Sequence, residues 1–83
     1  MNYRKHYEKL IDRAKKRITP EVTERHHIIP RSIGGNDKPE NIVKLTPEEH
    51  FVAHQLLLKM YPEYSFQLTY ALNMMTVDNP RTV

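Results

Sequence analysis

The 83-residue chain has no cysteine. Disulfides and thiolate zinc sites are therefore excluded, and any bound metal must be held by His, Asp, Glu or Asn. The same lack fits a reducing compartment. No apolar run approaches the roughly 20 residues needed to cross a bilayer, and no apolar core of the kind a signal peptide carries follows the basic N-terminus. These absences predict a soluble, cytoplasmic protein with no membrane partner. Length is also short supply: a chain of this size buries only about 60–65% of the surface its unfolded form exposes, so a metal staple would help a marginal core.

Basic residues are present in slight excess, with a formal net charge of +3, and they are unevenly placed. Residues 1 to 17 carry seven basic side chains, Arg4, Lys5, Lys9, Arg13, Lys15, Lys16 and Arg17, against Glu8 and Asp12, a local balance of +5. The remaining 66 residues carry six basic and eight acidic groups, a balance of −2. Lys and Arg contacts to phosphate dominate nucleic-acid affinity, so a basic segment of this kind is a candidate polyanion surface; the alternative is a solvated helix face.

Tyr3, Tyr7, Leu10, Ile11, Ala14 and Ile18 recur at helical spacing and predict an amphipathic helix over residues 2–17, capped by Asn2 and stopped at Thr19-Pro20. Residues 24–29 read as an extended strand running into a loop that turns sharply at Gly34-Gly35-Asn36-Asp37. Ile42-Val43-Lys44-Leu45 is the second strand, with alternate side chains on opposite sides. Thr46-Pro47-Glu48-Glu49 is the clearest helix start in the chain: Thr46 as N-cap, Pro47 at the first helical position and Glu49 placed to close a capping box. That helix should run to about Met60. Phe66, Leu68, Ala71, Leu72 and Met75 predict a final helix, drawn over residues 63–77. The expected organisation is one domain over 1–83: a basic amphipathic helix (1–18), a core (22–60) and a C-terminal helix (63–77).

Four of the five histidines fall between residues 24 and 54: the adjacent pair His26 and His27, then His50 and His54. Side chains four apart on a helix lie above one another, close enough for two imidazoles to hold one cation. A third ligand must come from another element, and the strand with His26 and His27 supplies it. Successive strand side chains diverge, so one ion takes only one of the pair and the other is left to act as a base. An isolated His-x-x-x-His pair is weak evidence, because helices produce it by chance. Three imidazoles on a metal with a fourth beside them is a kit for phosphodiester hydrolysis; a purely structural zinc site is the alternative, but with three protein ligands instead of four it would be incomplete, which favours a catalytic site with an open position.

Glu24-Arg25-His26-His27-Ile28-Ile29-Pro30-Arg31-Ser32-Ile33-Gly34-Gly35, Asn41-Ile42-Val43-Lys44-Leu45 and His50-Phe51-Val52-Ala53-His54 together resemble the HNH endonuclease family with its ββα-metal, or His-Me finger, fold. The match covers residues 24–54 directly. The flanking segment from Asn2 to Arg17 and the Leu45–His54 run are similar to phage HNH proteins of homing-endonuclease type. The fold this implies is α+β, a two-stranded hairpin plus a metal-binding helix, flanked by N- and C-terminal helices.

The resemblance also implies roles. His26, His50 and His54 match the metal ligands of the three-histidine branch, which includes the bacteriocin nucleases, and His27 matches the general base. Asn41 matches the motif's second letter, which braces the hairpin loop and so holds the base histidine. Glu24 matches an acidic position that orients an arginine toward phosphate in the bacteriocin nucleases. The implied reaction is single-metal hydrolysis of DNA, with water activated by His27 and 5′-phosphate and 3′-hydroxyl products. The hairpin and metal helix would lie against the minor groove. Arg25, Arg31 and Lys38, with Arg13, Lys16 and Arg17 on the first helix, are the candidate phosphate contacts. The cofactor is one divalent ion: three imidazoles favour zinc or another transition ion, with Mg²⁺ and Mn²⁺ as alternatives for turnover. The setting implied is the cytoplasm of a phage-infected bacterial cell.

Size is the departure. Phage homing members continue into DNA-recognition modules, whereas no second basic helix or helix-turn-helix pattern follows here. The expectation is a nuclease domain from a longer protein, or a small enzyme that nicks or cuts with little preference or borrows specificity from a homodimer or a recognition partner. Double-stranded DNA is the expected substrate and RNA the less favoured one. The rival from another class is a catalytically silent nucleic-acid-binding module that keeps the metal for stability.

Overall fold

The computed structural model describes residues 1–18 and 22–70. Helix α1 spans Tyr3–Lys15. The Asn2 side chain accepts from the Lys5 backbone N–H at 3.0 Å, satisfying one of the unpaired amides at the helix start. Tyr7, Ile11 and Ala14, spaced by four and then three, form its buried face. The helix ends before Ile18, which is 94% exposed and so does not extend the apolar stripe as its spacing predicted. The predicted stop at Thr19-Pro20 lies outside the described residues.

Strands β1 (Glu24–His27) and β2 (Ile42–Leu45) pair antiparallel, with Glu24 opposite Leu45 and His26 opposite Val43. Alternation puts Glu24, His26, Val43 and Leu45 on one face and Arg25, His27, Ile42 and Lys44 on the other. Val43 and Leu45 are buried while Lys44 is exposed, so the first face is the inner one. β1 stops two residues short of the expected extended run. From Ile29 onward the backbone bonds the Asn41 side chain instead of a strand: Ile29 N–H donates to Asn41 Oδ1 at 2.8 Å, and Asn41 Nδ2 donates to Ile29 O at 3.0 Å and to Asn36 O at 2.7 Å.

Between the strands lie two short 3₁₀ turns, Arg31–Ile33 and Pro39–Asn41. Gly34 takes φ 106°, the left-handed region that favours glycine. Gly35 is needed for a different reason. The chain closes on itself there, its N–H donating to Pro30 O at 2.9 Å, and a Cβ on residue 35 would sit 1.6 Å from the Ile29 carbonyl oxygen.

Helix α2 (Pro47–Met60) begins as its sequence predicts. Glu49 N–H donates to Thr46 Oγ1 at 3.2 Å and Thr46 N–H to Glu49 Oε1 at 2.9 Å, closing the capping box. A 3₁₀ turn, Pro62–Tyr64, follows, and residues 65–70 are helical. The C-terminal helix expected over 63–77 thus starts after that turn, and its residues from 71 onward lie outside the described ones.

The core is formed by Tyr7, Ile11 and Ala14 of α1, Val43 and Leu45 of β2, Ala53 and Leu57 of α2, and Leu68. Leu45, Leu57 and Leu68 are fully buried, each contributing about 1.5–3 kcal/mol of transfer free energy. The architecture is therefore the expected α+β one, a hairpin with α2 and α1 packed on its inner face. Arg17 ties the end of α1 to the start of α2 through an ion pair with Glu49, both side chains at most 20% exposed. Burial alone would raise the Glu49 pKa, but the hydrogen bonds from Arg17 and Thr46 outweigh it and hold the carboxyl below its usual value.

The two glycines should respond differently to a methyl group. Gly35→Ala is expected to destabilise the protein by about 1–3 kcal/mol through the clash with Ile29, and Gly34→Ala by about 1–2 kcal/mol through its backbone angle alone. Denaturant unfolding measures both. If adding a Cβ at Gly35 leaves the unfolding midpoint unchanged, the Ile29 carbonyl is not held in place as described.

Candidate metal centre and cleft

The inner face of β1 and one face of α2 meet at three imidazoles. His26 comes from β1, and His50 and His54 come from successive turns of α2. Ring centroids are 5.0 Å apart for His26 and His50, 5.3 Å for His26 and His54, and 5.0 Å for His50 and His54. Their candidate ligand nitrogens all lie within 4.8 Å of one another, so the three could hold a metal ion. The helix supplies this pair because Glu48, Gln55 and Lys59 occupy its exposed side and turn His54 and Leu57 inward.

Burial makes His26 and His54 poor bases and available ligands. His26 is 2% exposed, and its pKa is lowered to about 3, first by burial and then by the neighbouring imidazoles of His50 and His54. Burial, with His50 beside it, lowers His54 to about 4. Both are neutral near pH 7, the form in which a ring nitrogen can donate its lone pair. His54 Nδ1 is buried and has no hydrogen-bond partner among the described residues. The orphaned His54 nitrogen, beside the rings of His26 and His50, completes a three-imidazole donor set that Zn²⁺ or a similar ion would satisfy.

Polar groups orient two of the rings. His50 Nδ1 donates to Glu24 Oε1 at 3.0 Å, which leaves Nε2 as the lone-pair nitrogen of a neutral His50. The Tyr7 hydroxyl, buried on α1, lies 2.7 Å from His26 Nε2 and donates to the Ile28 carbonyl, also at 2.7 Å. The sequence spacing marks Tyr7 only as part of an apolar stripe; nothing in a helical pattern signals where a phenol hydroxyl ends.

His27 leaves the strand on the other face, as the divergence of adjacent strand residues requires. Its Nε2 is 2.7 Å from Asp37 Oδ1, so the carboxylate accepts and Nδ1 is left as the lone-pair nitrogen of the neutral ring. The hydrogen bond from His27, followed by the positive charge of Arg31, holds the Asp37 carboxyl below its usual value. Asp37 was legible only as a turn residue, because its partner is ten positions away across a loop of unpredicted shape.

A cleft of about 340 Å³ connects the two faces, lined by Arg25, His26, His27, Arg31, His50 and His54 among others. Two of the expected phosphate contacts therefore border the imidazoles. Lys38 is exposed on the loop, while Arg13 and Lys16 are exposed on α1, with Lys16 3.0 Å from Asp12. Arg17 is engaged with Glu49 instead of projecting as a basic surface group. Glu24, expected to orient an arginine, reaches His50. A second groove, of about 320 Å³, runs between α1 and Ile28, Ile29, Met60 and Tyr61.

Several of the proteins this chain resembles are named as probable mobile endonucleases. It is 56% identical over 63 residues to the probable mobile endonuclease E of Enterobacteria phage T4, covering 75% of this chain and 45% of that protein. It is 50% identical over 66 residues to the probable mobile endonuclease D of the same phage, covering 74% of this chain and 26% of that protein. A 38.5 kDa uncharacterized protein in psbA intron 1 of Chlamydomonas moewusii is 41% identical over 54 residues, 65% of this chain and 16% of that protein. The chain spans less than half the length of these relatives. No family model matches it, and no solved structure does. No helix among the described residues is long and apolar enough to cross a membrane.

The lowered pKa values set a pH dependence for the metal-free protein. The unfolded chain binds protons at His26 and His54 near pH 6.5, whereas the folded protein resists until about 3 and about 4. Stability is therefore full above pH 6.5 and falls as pH drops through the window toward 4. Thermal unfolding in EDTA should show Tm declining between pH 6.5 and 4.5, before most carboxylates titrate. A constant Tm over that range would mean the two rings are not held neutral.

Proposed function

We propose that this chain is a single nuclease domain of HNH type that hydrolyses phosphodiester bonds in double-stranded DNA with one divalent metal ion. The observation that carries the reading is the division of labour at the cleft: three imidazoles converge on one side and His27 borders the same cleft from the other. The resemblance to phage proteins named mobile endonucleases supports the same class.

His26, His50 and His54 would hold the ion, which when bound stabilises negative charge on the scissile phosphate and on the departing 3′ oxygen. His27 acts as general base. Its Nδ1 takes a proton from water attacking in line with the 3′ oxygen, leaving 5′-phosphate and 3′-hydroxyl ends. Asp37 on Nε2 orients the imidazole and favours the imidazolium formed as the proton is taken. Asn41 contributes indirectly: its three hydrogen bonds to Ile29 and Asn36 brace the loop that carries Asp37. Glu24 raises the donor strength of His50 in the manner of a carboxylate–histidine–metal triad. Arg25 and Arg31 at the cleft, with Lys38, Arg13 and Lys16 outside it, contact backbone phosphates. Target selection falls to a recognition partner, a second copy, or sequence of the kind that the longer relatives possess. The reaction belongs in the cytoplasm of an infected bacterial cell.

Conversion of supercoiled plasmid to nicked or linear form tests the proposal. Cutting should require Zn²⁺, Mn²⁺ or Mg²⁺ and stop in EDTA. His27→Ala should lose about 10²–10⁴-fold in rate while still binding metal. Intact DNA binding with no cutting under any of these metals would instead make the chain a silent binding module. Asp37→Ala should also slow cutting with metal affinity unchanged, and an undiminished rate would remove Asp37 from the account.

A further inference from the structure

The Tyr7 hydroxyl is a buried polar group with two neighbours at hydrogen-bonding distance, the Ile28 carbonyl oxygen and His26 Nε2, each at 2.7 Å. A phenol has one hydrogen to donate, and a backbone carbonyl can only accept. If Tyr7 donated to His26, the phenol and carbonyl oxygens would face each other lone pair to lone pair at 2.7 Å. The hydrogen therefore goes to Ile28. His26 Nε2 must then be the donor to Tyr7, carrying the ring's proton, and the lone pair of the neutral imidazole falls on Nδ1.

We propose that Tyr7 is a positioning residue of the metal centre: it locks His26 as the Nε2–H tautomer, so that His26 binds the ion through Nδ1, and it makes helix α1 part of the site. This deepens the metal-binding reading above and rests on it. The three rings are then not equivalent. His50, with Nδ1 on Glu24, presents Nε2, and His26, with Nε2 on Tyr7, presents Nδ1. These two rings are each fixed by a group from outside α2, so the ion would report on the seating of α1 and β1 against that helix.

Long-range ¹H–¹⁵N NMR on the wild-type, metal-free protein reads the tautomer directly, and Zn²⁺ titration by calorimetry reads affinity. The expected results are a protonated Nε2 on His26 and a 10–100-fold weaker Zn²⁺ affinity for Tyr7→Phe. Ile11→Val, a core change one turn along the same buried helix face and without a polar group to offer His26, should lower Tm yet leave Zn²⁺ affinity unchanged, which separates positioning from general loosening of α1. A wild-type His26 protonated at Nδ1, or Tyr7→Phe binding Zn²⁺ as tightly as wild type, overturns the proposal. The tautomer is read without any substitution, so the proposal can be refuted even if Tyr7→Phe fails to fold. Failure of the wild type to bind Zn²⁺ at all overturns the metal reading itself, and this proposal with it.

Discussion

The pairing of His26 with Val43 is the constraint on which the site depends. A strand sends neighbouring side chains to opposite faces, and a slip of one residue would exchange them all. Val43 and Leu45 must be buried because they are the apolar positions of β2, so the residues opposite them, His26 and Glu24, are carried inward as well. His27 and Arg25 are carried outward by the same geometry. The separation of a buried imidazole cluster from an accessible histidine is thus a consequence of ordinary hydrophobic burial acting through one short hairpin.

Burying three imidazoles is unfavourable unless they stay neutral and find partners. Each strand or helix packed against the cluster supplies something toward that end: Glu24 from β1 for His50, Tyr7 from α1 for His26, while one nitrogen of His54 has no partner among the described residues. The loop on the other side is built with comparable economy. Gly35 allows the backbone to close on Ile29, Asn41 holds that closure through its side-chain amide, and Asp37 is delivered to His27. A 14-residue helix with a strong N-terminal capping box, anchored by the Arg17–Glu49 pair, gives the cluster a rigid floor.

Much of this was legible from local pattern. The capping box at Thr46, the extent of α2, the second strand, and the inward direction of His50 and His54 all follow from interactions within a few residues of each other, where propensity and periodicity are informative. The helix stripe of Tyr7, Ile11 and Ala14 is legible for the same reason, while Ile18, at helical spacing but beyond the end of α1, is exposed: periodicity carries no information on where a helix stops. Arg17 reads in the sequence as part of the basic surface of α1, and no local pattern signals its engagement with Glu49, since that contact joins residues 32 positions apart.

By itself the sequence determined the elements and the chemical inventory: a capped helix bearing two histidines one turn apart, a strand bearing two more, and no cysteine to compete for a metal. Local backbone physics suffices for that. Only the tertiary structure decided which of the adjacent histidines joins the cluster, that Glu24 meets His50, that Asp37 meets His27, and that a helix tyrosine reaches His26. Those outcomes depend on strand register, on the path of a long loop and on the packing of α1, each set by contacts distant in sequence, and no local pattern encodes them.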